Sequence, residues 1–148
     1  MEIHIEQVFN INDSLLLDCF YIVSEFMGDA ENFYYSVQHE VNNSKHPMFV
    51  CMSGVNVLGF IKGRLMLMGG GVADNKMARV DHLYISRRYQ RMGVGARLLD
   101  AYTDYVRRNG ANQITLQTRL TPQAKNFYQK HGFELINSNR VGQMQKSL

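Results

Sequence analysis

Residues 90–100 read Gln90-Arg91-Met92-Gly93-Val94-Gly95-Ala96-Arg97-Leu98-Leu99-Asp100, QRMGVGARLLD. An apolar run, Met77–Ser86 (MARVDHLYIS), precedes them, and the apolar spacing of a helix follows to Arg108. A strand that passes through a glycine-rich turn into a helix presents backbone N–H groups with no intrahelical acceptor, and the helix dipole adds partial positive charge there. Such a turn cradles phosphate. Gly93 and Gly95 remove Cβ atoms from the approach, and Arg87, Arg88, Arg91 and Arg97 surround it with cationic side chains. The plainer reading is that the glycines only permit a tight strand-to-helix turn. The turn lacks the Gly-Lys-Ser/Thr of a P-loop. A dinucleotide fingerprint is also absent, because Leu98 stands where its third glycine would be and the turn lies late in the chain.

Working outward, the pattern is α/β. Glu2–Phe9 alternates as a strand, and Asn12 and Asp13 can cap a helix starting near Ser14 and ended by Gly28. A second helix is predicted from Glu31 to about Val41. Met48–Ser53 and Val55–Met68 read as a hairpin across Ser53-Gly54; Gly59 and Gly63 within its second arm signal a bulge or a close backbone approach. Gly69 to Asn75 is a loop, and Met77–Ser86 is a strand whose apolar part places it centrally. The helix Val94–Arg108 stops at Gly110, and Gln113–Thr118 is a strand. Thr121-Pro122 opens a short helix that ends at His131-Gly132. Phe133–Asn137 and Val141–Lys146 form a closing hairpin around Ser138-Asn139-Arg140. The expected fold is a mixed central sheet of about seven strands flanked by about four helices, in one domain over residues 1–148.

Composition narrows the function classes. The chain has 148 residues, 45% hydrophobic and 20% charged, which suits a globular domain with a sizeable core. No run of 18 apolar residues is present, and the N-terminus MEIHIEQVF has no secretory pattern. Cys19 and Cys51 are the only cysteines and show no metal-ligand spacing, so no metal site and a cytoplasmic location are expected. Residues 1–47 carry eight acids against one base, a net −7, and residues 48–148 carry 15 bases against 5 acids, a net +10. This asymmetry suggests two ligands of opposite charge; two solvated faces are the plainer account.

The stretch Gln90-Arg91-Met92-Gly93-Val94-Gly95 resembles the acetyl-CoA signature Gln/Arg-x-x-Gly-x-Gly/Ala of the GNAT superfamily of N-acetyltransferases. Downstream, Ala124–Phe133 (AKNFYQKHGF) is similar to that family's A-x-x-F-Y-x-K-x-G-F block, and the ending QMQKSL is similar to its final strand. The resemblance covers essentially the whole chain. It implies acetyl-CoA as cosubstrate and transfer of its acetyl group to a primary amine. It implies that the backbone of Leu83, Tyr84 and Ile85 pairs with the pantetheine arm, and that the amides of Arg91, Met92, Gly93, Val94, Gly95, Ala96 and Arg97 hold the pyrophosphate. Asn126 contacts the cofactor, Lys130 or a nearby arginine reaches its 3′-phosphate, and Tyr128 is the general acid for the leaving thiolate. Asp81 resembles the base position of polyamine-acetylating relatives. Two departures stand out: Thr121 replaces a common Asn, and Arg79 occupies a position that serves as base in other branches.

An amine is mostly protonated at neutral pH, so a base must free its lone pair, directly or through water. Asp81 can do so; its alternative is a salt-bridge partner. A strand N–H, at Leu83 on this reading, stabilises the developing oxyanion. Neither cysteine has an activating neighbour in sequence, which favours direct transfer in a ternary complex. His82 points to the opposite side of the strand from Asp81 and reads as structural. Phe33, Tyr34 and Tyr35 are candidates to line the acceptor pocket, with ordinary core packing the plainer account and the favoured one for Phe33; Met66, Met68 and Met77 read as packing. The acidic N-terminal segment points to a small cationic acceptor, a polyamine or an aminoglycoside-like amine. A protein or peptide amine is the alternative within the class, and a non-catalytic acyl-CoA sensor the alternative outside it. No nucleic-acid motif and no membrane segment is seen, and the resemblance allows a homodimer.

Overall fold

The computed structural model describes residues 1–28, 30–40, 45–67, 76–118, 121–137 and 142–148. Met68, the expected loop from Gly69 to Asn75 and the expected turn Ser138-Asn139-Arg140 lie outside these residues. The elements follow in the order β1 (His4–Gln7), α1 (Asp13–Ser24), α2 (Glu31–Glu40), β2 (Met48–Ser53), β3 (Asn56–Leu67) and β4 (Lys76–Ile85). Then come a 3-10 turn (Arg87–Tyr89), α3 (Val94–Arg108), β5 (Ala111–Thr118), α4 (Pro122–Lys130), β6 (Glu134–Asn137) and β7 (Gly142–Ser147). The seven strands hydrogen-bond in the order β1-β2-β3-β4-β5-β7-β6, which makes β4 central, as its apolar run requires. β4 and β5 pair in parallel through Met77↔Gln113 and Val80↔Leu116. β1–β2, β2–β3, β5–β7 and β6–β7 are antiparallel, so the sheet is mixed.

Contacts group the chain into two compact units, residues 1–63 with 82–102 and residues 64–81 with 103–148. In the first, α1 and α2 lay Leu16, Cys19, Ile22, Val23, Phe33 and Val37 against Met48, Val50 and Phe60. The helical spacing of these positions forms the apolar stripe that buries. In the second, Ile114, Leu116, Phe133 and Met144 are buried.

Local signals act as the sequence suggests at most helix ends. The Asn12 side chain accepts the Leu15 N–H at 2.8 Å, and Thr121 Oγ1 accepts the Ala124 N–H at 3.1 Å ahead of Pro122. Gly28 does not end α1, however. The helix stops at Ser24, where the N–H groups of Glu25 and Phe26 turn to carbonyls three residues back, Ile22 and Val23, and tighten the last turn.

Gly59 is the close approach that its position in a strand signals. A Cβ there would lie 2.7 Å from both the Tyr84 carbonyl oxygen and Ile85 Cδ1. It sits beside a register slip, with Cys51 opposite Gly59 and Met52 opposite Val57. One methyl group at this point forces the backbone apart, which costs about 1–3 kcal/mol for overpacking. Gly59→Ala is therefore expected to lower the melting temperature by several degrees in a circular-dichroism melt; an unchanged melting temperature would show that the two strands give way freely.

Candidate active site

The turn between β4 and α3 is built from backbone bonds in the first unit. The Ser86 N–H donates to the Leu58 carbonyl at 2.9 Å, and the Tyr89 N–H donates to Ser86 at 2.9 Å. The Gln90 side-chain amide donates back to the Ile85 carbonyl at 3.4 Å. The chain then enters the left-handed region at Arg91 (φ 67°) and Gly93 (φ 77°). Open space surrounds Gly93 where a Cβ would stand, so backbone conformation, and not crowding, requires glycine there. The first intrahelical bond of α3 runs from the Arg97 N–H to the Gly93 carbonyl at 3.1 Å. The amides of Val94, Gly95 and Ala96 precede it and have no intrahelical acceptor. The Arg97 amide is committed to the helix.

The arginines around the turn differ in their commitments. The Arg87 guanidinium lies 5.0 Å above the Phe26 ring and that of Arg88 5.8 Å above Tyr89. Arg97 Nη1 donates to the Ile3 carbonyl at 3.3 Å. Arg91, Met92 and Gly93 are exposed. An open turn with oriented amides, the positive end of a helix dipole and cationic side chains is a site for a phosphorylated ligand.

Leu83, Tyr84 and Ile85 end β4 and are half-buried. Tyr84 spends its side chain on packing: its ring lies 5.9 Å from Phe60 and 5.7 Å from Phe26, and its hydroxyl donates to Met27 Sδ at 3.1 Å. His82 sits against Phe33 at 5.1 Å and Tyr84 at 6.1 Å, a packed imidazole. Phe33 is buried, also against Phe60, whereas Tyr35 is 63% exposed.

In the second unit, Asp81 lies in a guanidinium clasp. Arg64 Nε donates to Asp81 Oδ2 at 2.9 Å and Arg64 Nη2 to Oδ1 at 3.0 Å. Arg79 Nε approaches Oδ1 at 3.5 Å. Only 11% of the Asp81 side chain is exposed. A two-point clasp orients a carboxylate rigidly. Arg64 was not singled out by sequence reading, because nothing local links it to Asp81, 17 residues away.

Tyr128 sits on α4 with its ring against Phe127 at 5.1 Å and Phe133 at 5.6 Å, both edge-on. Asn126 and Lys130 are exposed four residues apart and share a helix face; Tyr128 falls on a different one. Cys19 and Cys51 are buried, and burial pushes both thiols up, with the Arg97 charge opposing the shift at Cys51. A thiol held protonated is a poor nucleophile.

A model of the family described as Acetyltransferase (GNAT) domain matches residues 22–144. The chain belongs to this family. Solved structures share its fold. The ribosomal-protein-S18-alanine N-acetyltransferase from Escherichia coli is 18% identical with a TM-score of 0.78, over 99% of this chain and 94% of that one. The PaiA N-acetyltransferase from Thermoplasma acidophilum, in complex with coenzyme A, is 15% identical with a TM-score of 0.73, over 100% of both chains. An aminoglycoside 6′-acetyltransferase type Ii is 16% identical with a TM-score of 0.75, over 97% of this chain and 96% of that one. No curated protein sequence matches the chain. The chain is thus a GNAT acetyltransferase with acetyl-CoA as cosubstrate, and among the described residues no helix is long and apolar enough to cross a membrane.

A β-branched residue at φ 77° is strained, because the left-handed conformation costs ~1–2 kcal/mol even for ordinary residues. Gly93→Val is expected to raise the Kd for coenzyme A at least about tenfold in calorimetry. Gly28→Ala, at a position with open space and an ordinary φ, is expected to leave that Kd unchanged.

Proposed function

We propose that this enzyme, as a single domain over residues 1–148, transfers the acetyl group of acetyl-CoA to the primary amine of a small cationic acceptor in the cytoplasm, by direct attack in a ternary complex. The observation that carries the cosubstrate side is the turn itself: three amides ahead of the Arg97–Gly93 bond, at an open and basic strand-to-helix turn. The pyrophosphate rests on the amides from Arg91 to Ala96. Arg97 adds its charge and not its amide. The pantetheine arm pairs with the backbone of Leu83, Tyr84 and Ile85, whose side chains include the fully engaged Tyr84. Asn126 and Lys130, on one exposed face of α4, contact the remainder of the cofactor, Lys130 at a phosphate.

In the transfer step, Asp81 takes a proton from the acceptor ammonium, directly or through water. Its clasp by Arg64 holds the carboxylate in place. The freed amine attacks the thioester carbonyl, the Leu83 N–H stabilises the oxyanion, and collapse expels the thiolate as the nitrogen gives up its second proton to water. Tyr128 protonates the thiolate. The packed ring of Tyr128, edge-on to two phenylalanines, supports a fixed hydroxyl direction.

The acceptor reading rests on charge. The segment 1–47, at net −7, precedes a basic remainder at net +10, which suits a cationic amine opposite an anionic cosubstrate. The E. coli neighbour, named for a ribosomal-protein alanine, favours a second reading, a protein N-terminus as acceptor.

Release of free thiol from acetyl-CoA against spermidine, an aminoglycoside, amino acids and peptides tests both readings. Turnover with one cationic small amine, with an acceptor KM that rises with ionic strength, is the expected result; turnover with peptides alone supports the second. Tyr128→Phe is expected to lower kcat by about 100-fold or more, the scale of general acid catalysis. Asp81→Asn is expected to lower kcat on a similar scale, about 100-fold. A reduced melting temperature with kcat intact would instead leave Asp81 as the partner of Arg64 alone.

A further inference from the structure

One carboxylate joins α1 to the segment that leaves β4. Glu25 Oε1 accepts the Ser86 hydroxyl at 3.3 Å and the Arg87 N–H at 3.2 Å. The next residue, Phe26, carries the Arg87 guanidinium over its ring at 5.0 Å. Two consecutive residues at the end of α1 thus grip two consecutive residues at the start of the 3-10 turn. Ser86 is buried and is held from the other side by the Leu58 carbonyl through its N–H at 2.9 Å. The backbone of Glu25 is committed as well, since its N–H closes the last turn of α1 on the Ile22 carbonyl at 3.1 Å.

This contact is chemically pointed. The first amides of a 3-10 turn have no acceptor within the turn, and a carboxylate is the strongest side-chain acceptor for them. Only three residues separate Arg87 from Arg91, where the chain turns left-handed, and Gly93 follows two later. The place at which Arg87 is held therefore sets where the Val94, Gly95 and Ala96 amides begin. A carboxylate beside a turn that receives pyrophosphate opposes the ligand by its charge, so its contribution to binding must come from its hydrogen bonds.

We propose that Glu25 is a positioning residue for acetyl-CoA: it orders the turn before the cosubstrate arrives, and so sets cosubstrate affinity and not the rate of transfer. The proposal rests on reading Arg91–Ala96 as the pyrophosphate cradle. Glu25→Ala removes both accepted bonds. Glu25→Gln keeps an acceptor oxygen and removes the charge.

The test is calorimetric binding of coenzyme A to the full chain, together with KM and kcat for the best acceptor of the panel. Glu25→Ala is expected to raise the Kd for coenzyme A about tenfold with kcat unchanged, the scale of hydrogen bonds to a charged group. Glu25→Gln is expected within about twofold of wild type, because the acceptor persists while the opposing charge is gone. Ser86→Ala, which loses one of the two bonds, should fall between, and it supplies the measurement if Glu25→Ala does not fold. A Kd for Glu25→Ala equal to wild type overturns the proposal. So does a rise in acceptor KM alone, which would make Glu25 an acceptor-side anion. Normal coenzyme A binding by Gly93→Val would overturn the cradle reading instead, whatever Glu25 does.

Discussion

The structure around the turn between β4 and α3 depends on how closely β3 and the end of β4 approach. Gly59 permits a separation that no side chain allows, since a Cβ would meet the Tyr84 carbonyl at 2.7 Å. Immediately beyond, the Ser86 N–H finds the Leu58 carbonyl. That bond fixes the exit of the chain from the sheet. From there a 3-10 turn and two left-handed residues suffice to aim the first amides of α3 outward. The outward aim of these amides is thus a consequence of strand packing several residues upstream. Burial of Phe60 beneath α2 and of Val94 at the start of α3 anchors the two ends of this path.

Much of this was legible because the signals are local. Asn12, Thr121-Pro122 and Gly110 act on amides and carbonyls a few residues away, and a reader needs no tertiary structure to interpret them. Gly59 was legible as an interruption in a strand, although the atom it makes room for was not. Gly28 misled because glycine near a helix end usually marks the end; here the backbone closed three residues earlier without a left-handed residue. Side-chain pairings across the sheet were not legible at all. Arg64 and Asp81 meet across 17 residues, and Glu25 and Ser86 across 61, at places that depend on strand register and on where α1 lands.

The same contacts qualify what net charge says about ligands. The sequence asymmetry counts Glu25 among eight acids, yet its carboxylate is engaged with Ser86 and Arg87. It counts four arginines at the turn, yet Arg87 lies on Phe26, Arg88 on Tyr89, and Arg97 donates to Ile3. Charges engaged in this way still contribute to the long-range field that steers ions. They contribute less to a direct contact, which would have to break the existing one. A salt-dependent acceptor KM would therefore report the field of the segment and not the Glu25 carboxylate.

Burial weighs against an acyl-enzyme. A covalent route through cysteine needs a thiolate within reach of the thioester. Cys19 lies fully buried in the α1 core, and desolvation with the nearby Asp18 charge pushes its thiol up. Cys51 is buried on β2 and is pushed up as well, although Arg97 pulls the other way. Exposing either thiolate would mean opening apolar packing that holds the first unit together. An acceptor amine needs only to lose a proton to become a strong nucleophile. These energetics favour the proposed route, in which the amine attacks the thioester itself and the protein has to take up the amine's protons, supply one to the thiolate and hold the cosubstrate still.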